Sequence, residues 1–212
     1  MIEAIREMAA DSHEYTGRAT LSPKVIAAMR KVLRHEFVPA GRLRDSAYEN
    51  RPLPIGEGQT ISQPYIVALM TDLAEIDEDS VVLEVGTGSG YQAAVLAELA
   101  RHVYTIEIIE ELGQRAERVL QRLGYSNVTV RIGDGYNGWP VHAPFDAILV
   151  TAAPEEIPQS LIDQLAPGGR LVIPVGATNA VQSLLLVRKD AEGHVSKQSV
   201  LPVGFVPLTG DH

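Results

Sequence analysis

Apolar residues recur along this chain with two different periods, and their alternation sketches the architecture. Val25, Ile26, Met29, Val32 and Leu33 fall at helical spacing behind Ser22-Pro23. Serine can cap free N–H groups and proline suits a first turn, so a helix is predicted from Pro23 to about Leu33. Between Arg34 and Gln63 prolines and glycines interrupt any helix or strand period, and a long loop is predicted. Loops of that length in compact domains are usually functional or disordered, and the apolar residues in this one argue for order. Pro64 then opens a helix to about Ile76, and the polar turn Asp77–Ser80 leads into the strand Val81-Val82-Leu83-Glu84-Val85.

Beyond that strand the two periods alternate. Helices are predicted at Gln92–Ala100, Glu110–Leu123 and Gln159–Leu165, and strands at Val103–Ile108, Val128–Ile132, Phe145–Val150 and Arg170–Val175. Strand, helix, strand implies right-handed crossovers and a parallel sheet. The segments SLLLVRKD and HVSKQSVLPVGFVPL flank Ala191-Glu192-Gly193 and predict a hairpin at one edge. The fold class is therefore α/β: a mostly parallel twisted sheet flanked by helices, with an antiparallel C-terminal hairpin and an N-terminal helical and loop extension. One domain over residues 1–212 is expected, with extension and active-site loop in 1–80 and core in 81–212. No internal repeat, low-complexity stretch or linker divides it.

Composition narrows the chemistry. The 212 residues carry a formal net charge of −9, which repels phosphate backbones, so no nucleic-acid partner is expected. A basic strip at Arg30, Lys31 and Arg34 reads as a solvated helix face. With no cysteine, disulfides, thiolate metal sites and thiol catalysis are excluded, and a reducing compartment fits. The opening MIEAIREMAADSHEYTG lacks the basic-then-apolar order of a secretory signal, and no apolar run is long enough to cross a bilayer. A cytoplasmic chain without membrane contact is expected. His13, His35, His102, His142, His194 and His212 show no metal-ligand spacing, so no metal is assigned; His35 reads as a structural or surface residue.

Val85-Gly86-Thr87-Gly88-Ser89-Gly90-Tyr91 joins the first core strand to a helix, where glycines permit a tight turn and close approach by a ligand. For a nicotinamide dinucleotide the third glycine comes one position early, and for a triphosphate loop the Gly-Lys-Ser/Thr run is missing. S-Adenosylmethionine fits better. Glu107, ending the next strand, can accept both ribose hydroxyls, and Glu84 beside the loop suits a cationic ligand without phosphates. After a third strand, Asp134 can accept the adenine amino group while Gly133 and Gly135 leave room for the ring. Singly each acid reads as a solvated strand end or turn cap; together with the glycine spacing they describe one crevice at successive strand ends. Tyr136 and Trp139 beside it could wall the adenine pocket, but aromatic residues near a strand end read more readily as packing.

Several stretches carry a resemblance to the protein-L-isoaspartate (D-aspartate) O-methyltransferase family, from about Pro23 to Thr209. They are Pro52-Leu53-Pro54-Ile55-Gly56, Gly58-Gln59-Thr60-Ile61-Ser62-Gln63-Pro64, Leu83 to Tyr91, Gly133-Asp134-Gly135, Pro144 to Ile148, Pro167 to Leu171 and Phe205 to Thr209. The resemblance implies a Rossmann-like fold that takes S-adenosylmethionine, releases S-adenosylhomocysteine, and methylates the free carboxylate of L-isoaspartyl residues in damaged proteins and peptides. D-Aspartyl residues are a possible second acceptor. It also implies Ser62 as the active-site residue, Thr60, Ile61 and Ser62 bordering both donor and acceptor, and Val206 to Thr209 closing the site. Gly204 departs from the arginine that bacterial relatives commonly carry before Phe-Val-Pro-Leu. A monomer is expected, since a polypeptide substrate needs an open approach.

The chemistry sets modest demands. A carboxylate with a pKa of about 4 is already an anionic nucleophile at neutral pH, so no general base is needed. Attack diminishes both the carboxylate and the sulfonium charge, so positioning and loss of water serve better than a strongly polar grip. A hydroxyl at Ser62 with nearby backbone N–H groups would orient the acceptor. On local sequence alone Ser62 could equally cap the helix that begins at Pro64. Methyltransferases of base nitrogens would carry an Asn-Pro-Pro-Tyr loop, which is missing; a noncatalytic S-adenosylmethionine-binding module would keep the crevice and lack turnover.

Overall fold

A computed structural model of the chain describes residues 1–178 and 180–210; His212 lies outside them. It begins with α1 (Ile2–Asp11), α2 (His13–Thr16) and α3 (Pro23–Lys31), then a 3-10 turn at Arg34–Phe37, α4 (Arg42–Asp45) and the antiparallel pair β1 (Leu53–Gly56) and β2 (Gln59–Ile61). Next come α5 (Pro64–Ala74), β3 (Val81–Val85), α6 (Tyr91–Ala97), β4 (His102–Glu107) and α7 (Glu110–Arg122). The remainder is β5 (Val128–Ile132), β6 (Phe145–Val150), α8 (Gln159–Asp163), β7 (Leu165–Val175), β8 (Gln182–Lys189) and β9 (Val195–Val203).

Seven strands form one sheet in the order β5-β4-β3-β6-β7-β8-β9. The pairings from β5 to β7 are parallel, and β8 and β9 are added antiparallel, as the hairpin pattern implied. Later strands flank β3 on both sides, which makes its carboxyl end the switch point where open sheets take ligands. Alternate residues serve opposite faces of the sheet. Val82 and Leu149 join one apolar cluster with α3, α5 and α6, while Leu83, Val85 and Ile148 join another with α8.

Helix α5 is apolar on nearly every side and almost wholly buried, as such a helix must be. Its buried Asp72 is not left alone: Arg18 approaches at 2.6 Å and the Ser22 N–H donates to it at 2.8 Å. These bonds tie the N-terminal extension to α5. Ser22 precedes α3 as predicted, but no side chain caps that helix and the Ser22 hydroxyl is buried without a partner.

Two expectations need correction, and the first residues, given no element from the spacing, form helices Ile2–Asp11 and His13–Thr16, with Ile5 and Ala9 buried against the core. Within the supposed loop 34–63, Glu57 and Gly58 turn with positive φ and pair β1 with β2. Arg30 and Lys31 are exposed as expected, but Arg34 is fully buried. Helix α3 ends before Arg34, with Val32 extended, and the guanidinium turns inward to donate to the carbonyls of Ala47, Arg51 (3.3 Å) and Ser62 (3.0 Å).

Candidate active site

The turn after β3 is held by backbone bonds: the N–H groups of Gly86 and Thr87 donate to the Ile106 carbonyl at 2.8 and 3.2 Å. Gly86 sits at φ +97°, and a β-carbon there would run into the Thr151 hydroxyl; Gly90 at φ +86° starts α6. Only glycine meets both demands at position 86. At the end of β4 the Glu107 carboxylate accepts from the Gly88 N–H at 2.7 Å and the Ile109 N–H at 3.0 Å. Each carboxylate oxygen can accept twice, so lone pairs remain for a ligand's hydroxyls.

Above this turn lies an open cavity whose walls include Thr60, Ile61, Ser62, Gly86, Gly88, Glu107, Gly135, Val206 and Thr209. A second, larger cavity of about 760 Å³ adjoins it, lined by α1, Tyr15, Tyr65 and the stretch Leu201 to Val206. Thr60, Ser62, Thr151 and Val206 line both. Gly204 borders the larger cavity, where a β-carbon would meet nothing within 4 Å.

The wall bearing Val206 is pinned from two sides. Ala153, just after β6, donates to the Val206 carbonyl at 2.8 Å and accepts from the Leu208 N–H at 2.8 Å. Buried Gln182 holds the Phe205 backbone twice, accepting from its N–H at 2.6 Å and donating to its carbonyl at 3.0 Å.

Two expected ligand contacts fall outside the wall of the smaller cavity. Glu84 is wholly buried beneath the turn, where its Oε2 accepts from Thr105 Oγ1 at 2.5 Å and its Oε1 has no partner. Burial raises its carboxyl to about 8, against the Thr105 hydrogen bond and aided by Glu107. It therefore sits against the hydroxyl of Thr105 on β4, which in turn meets the Thr87 hydroxyl of the turn at 2.6 Å, and the reading of it as a carboxylate facing a cationic ligand is corrected. Asp134 lies beside the wall formed by Gly135 and accepts from the Tyr136 N–H at 2.9 Å, capping a short 3-10 turn.

Neither Tyr136 nor Trp139 lines the cavity. Trp139 packs edge-on to Tyr104 and His142 instead. Ser62 is not the cap of α5: Gln63 precedes that helix, and no side chain caps it. His35 meets the Tyr48 hydroxyl at 2.7 Å at the surface. The one metal-sized cluster among the described residues, Asp190, Glu192 and His194, is an exposed turn in which Asp190 already accepts from the His194 N–H at 2.7 Å. Thr151 escaped the sequence reading, although it follows β6 as the glycine turn follows β3; its hydroxyl donates to the Gly86 carbonyl at 2.6 Å.

A family described as Protein-L-isoaspartate(D-aspartate) O-methyltransferase (PCMT) matches residues 10–212. A Protein-L-isoaspartate O-methyltransferase 2 of Polaromonas sp. (strain JS666 / ATCC BAA-500) is 63% identical over 210 residues, 99% of this chain and 99% of that one. A namesake from Syntrophobacter fumaroxidans is 60% identical over 212 residues, 100% of this chain and 85% of its own. Among solved structures, a protein-L-isoaspartate O-methyltransferase superposes with TM-score 0.84 at 28% identity, covering 99% of this chain and 66% of that one. A Plasmodium falciparum beta-aspartate methyltransferase in complex with S-adenosyl-L-homocysteine shares the fold, with TM-score 0.79 at 23% identity over 98% of this chain and 96% of its own.

Proposed function

Because this chain belongs to the protein-L-isoaspartate (D-aspartate) O-methyltransferase family, we infer that its two adjoining cavities divide the reaction between a donor and an acceptor. The enzyme transfers a methyl group from S-adenosylmethionine to the free carboxylate of L-isoaspartyl residues in damaged proteins and peptides, with S-adenosylhomocysteine as product. The residues fit that donor. Glycines at 86 and 135 leave room that β-carbons would fill against Thr151 and Val85, and Glu107 offers carboxylate oxygens in the wall.

The donor, when bound, supplies an electrophilic methyl on a sulfonium. In our reading Glu107 takes the ribose hydroxyls, and Gly86, Gly88, Gly135 and Thr209 close around the adenosyl part. Asp134 beside them reaches the adenine amino group. The acceptor lies in the larger cavity, where Thr60, Ser62 and Val206 border it, while Ile61 lines only the smaller cavity on the donor side. Ser62 donates a hydrogen bond that turns one carboxylate oxygen toward the methyl, while Val206 and Phe205 exclude water. No residue needs to remove a proton. The observation that carries this assignment is that Thr60, Ser62, Thr151 and Val206 belong to both cavities, so the reacting atoms meet among them.

The finer points are proposals of the same kind. We take the chain as one domain and a monomer in the cytoplasm with no nucleic-acid partner and no resident metal. The charge of −9 supports the exclusion of nucleic acid, and among the described residues no helix is long and apolar enough to cross a membrane. D-Aspartyl residues are a candidate second acceptor. The test is incubation with labelled donor and matched aspartyl and isoaspartyl peptides. Label in the isoaspartyl peptide alone is expected; equal label in both, or none, overturns the acceptor assignment.

A further inference from the structure

A guanidinium surrounded by carbonyls is an unusual thing to bury. Arg34 is 0% exposed and, among the described residues, forms no ion pair. Taking a cation out of water is costly, and a carboxylate partner would normally offset part of that cost. Desolvation lowers its pKa to about 10, leaving it charged at neutral pH. Its rigid fork of donors meets the carbonyls of Ala47, Arg51 and Ser62, while Nε has no partner. The carbon at its centre lies 5.6 Å from the ring centroid of Tyr91, which lines the donor cavity. One side chain thus touches the segments that carry both halves of the site.

The bond to Ser62 has a directional consequence. In a trans peptide the C=O and N–H point opposite ways, so a Ser62 carbonyl held toward Arg34 turns the Gln63 N–H away from it. Gln63 is extended, at φ −52° and ψ 133°, and its N–H takes no protein acceptor among the described residues. Ser62 and Gln63 both line the acceptor cavity. We propose that Arg34 is the positioning residue of the acceptor half-site, fixing the Ser62–Gln63 peptide so that the Ser62 hydroxyl and the Gln63 N–H converge on the substrate carboxylate. The cation stands behind that peptide and attracts the anion without gripping it, which suits a reaction that discharges both partners.

This inference rests on Ser62 bordering the acceptor. The test compares the full chain with Arg34→Lys and Arg34→Met, measuring isoaspartyl-peptide KM and kcat, calorimetric affinity for S-adenosylhomocysteine, and Tm. Lysine keeps the charge and loses the fork, so peptide KM is expected to rise about tenfold or more while S-adenosylhomocysteine affinity stays within about twofold. Arg34→Met is expected to do the same or worse; if it does not fold, Arg34→Lys decides alone. A wild-type KM in Arg34→Lys, whatever its Tm, overturns the proposal. So does a parallel fall in S-adenosylhomocysteine affinity, which would mean that Arg34 merely holds the fold. If the wild-type chain itself leaves the isoaspartyl peptide unmethylated, the reading of the acceptor site falls first and this inference with it.

Discussion

Replacing Glu84 by glutamine asks whether the acid beneath the glycine turn is neutral in the native protein. In the folded chain burial raises its carboxyl to about 8 from an ordinary value of 4.5. For an acid shifted upward, the stability contributed by the site is fully present below pH 4.5 and is lost as pH rises through about 8. At 1.36 kcal/mol per pH unit the gap sets a ceiling of about 5 kcal/mol on that loss. Glutamine keeps the shape and an oxygen for Thr105 but cannot ionise. The Tm of the variant relative to wild type is therefore expected to improve between pH 5 and pH 8, by up to on the order of 10 °C at about 2–4 °C per kcal/mol. Thermal melts of both proteins across that range, at constant ionic strength, read the difference directly, because every other titrating group is common to both. Parallel curves would show that Glu84 is ionised throughout and that the burial argument is wrong. Since the side chain lies behind the cavity wall, the variant is also expected to bind S-adenosylhomocysteine normally at pH 7.

Other substitutions probe the wall itself. Glu107→Gln replaces the carboxylate in the wall and is expected to weaken calorimetric binding of S-adenosylhomocysteine about tenfold; unchanged affinity would discard the ribose contact. Ser62→Ala is expected to lower turnover of an isoaspartyl peptide at least about tenfold with little change in Tm, since the hydroxyl does not cap α5. Full turnover would return Ser62 to a passive role. Gly86→Ala forces a side chain into φ +97° against Thr151, and about 1–3 kcal/mol of stability should be lost together with donor binding. A calorimetric titration matching wild type would show that the turn has room to spare.

What could be read from the residues alone was what is local. The strand runs, the glycine turn and the acid ending β4 announce themselves within a few positions, because a tight turn and a strand-end carboxylate are decided by near neighbours. Arg34 was legible only as a charge near helical spacing; its burial depends on where Ala47, Arg51 and Ser62 come together, which no period encodes. Glu84 was misplaced for a related reason, since strand alternation does not say which face a switch-point ligand will occupy. The β1–β2 pair hid behind Pro52, Pro54, Gly56 and Gly58, whose turn signals outweigh two strands of four and three residues. Thr151 went unread although it follows a strand like Gly86 and Ile108, because a lone threonine carries no motif.

The clasp of Gln182 on Phe205 separates the site from the tip of its own hairpin. With the Phe205 backbone fixed at the base, the position of Val206 does not depend on how the far turn at Asp190–His194 is made. That turn is exposed and remote from both cavities. It is accordingly the place to splice in an affinity tag, a fluorophore or a surface tether, as exposed loop tips tolerate such inserts. A residue added between Val200 and Phe205 would instead shift the register at the clasp and misplace the wall.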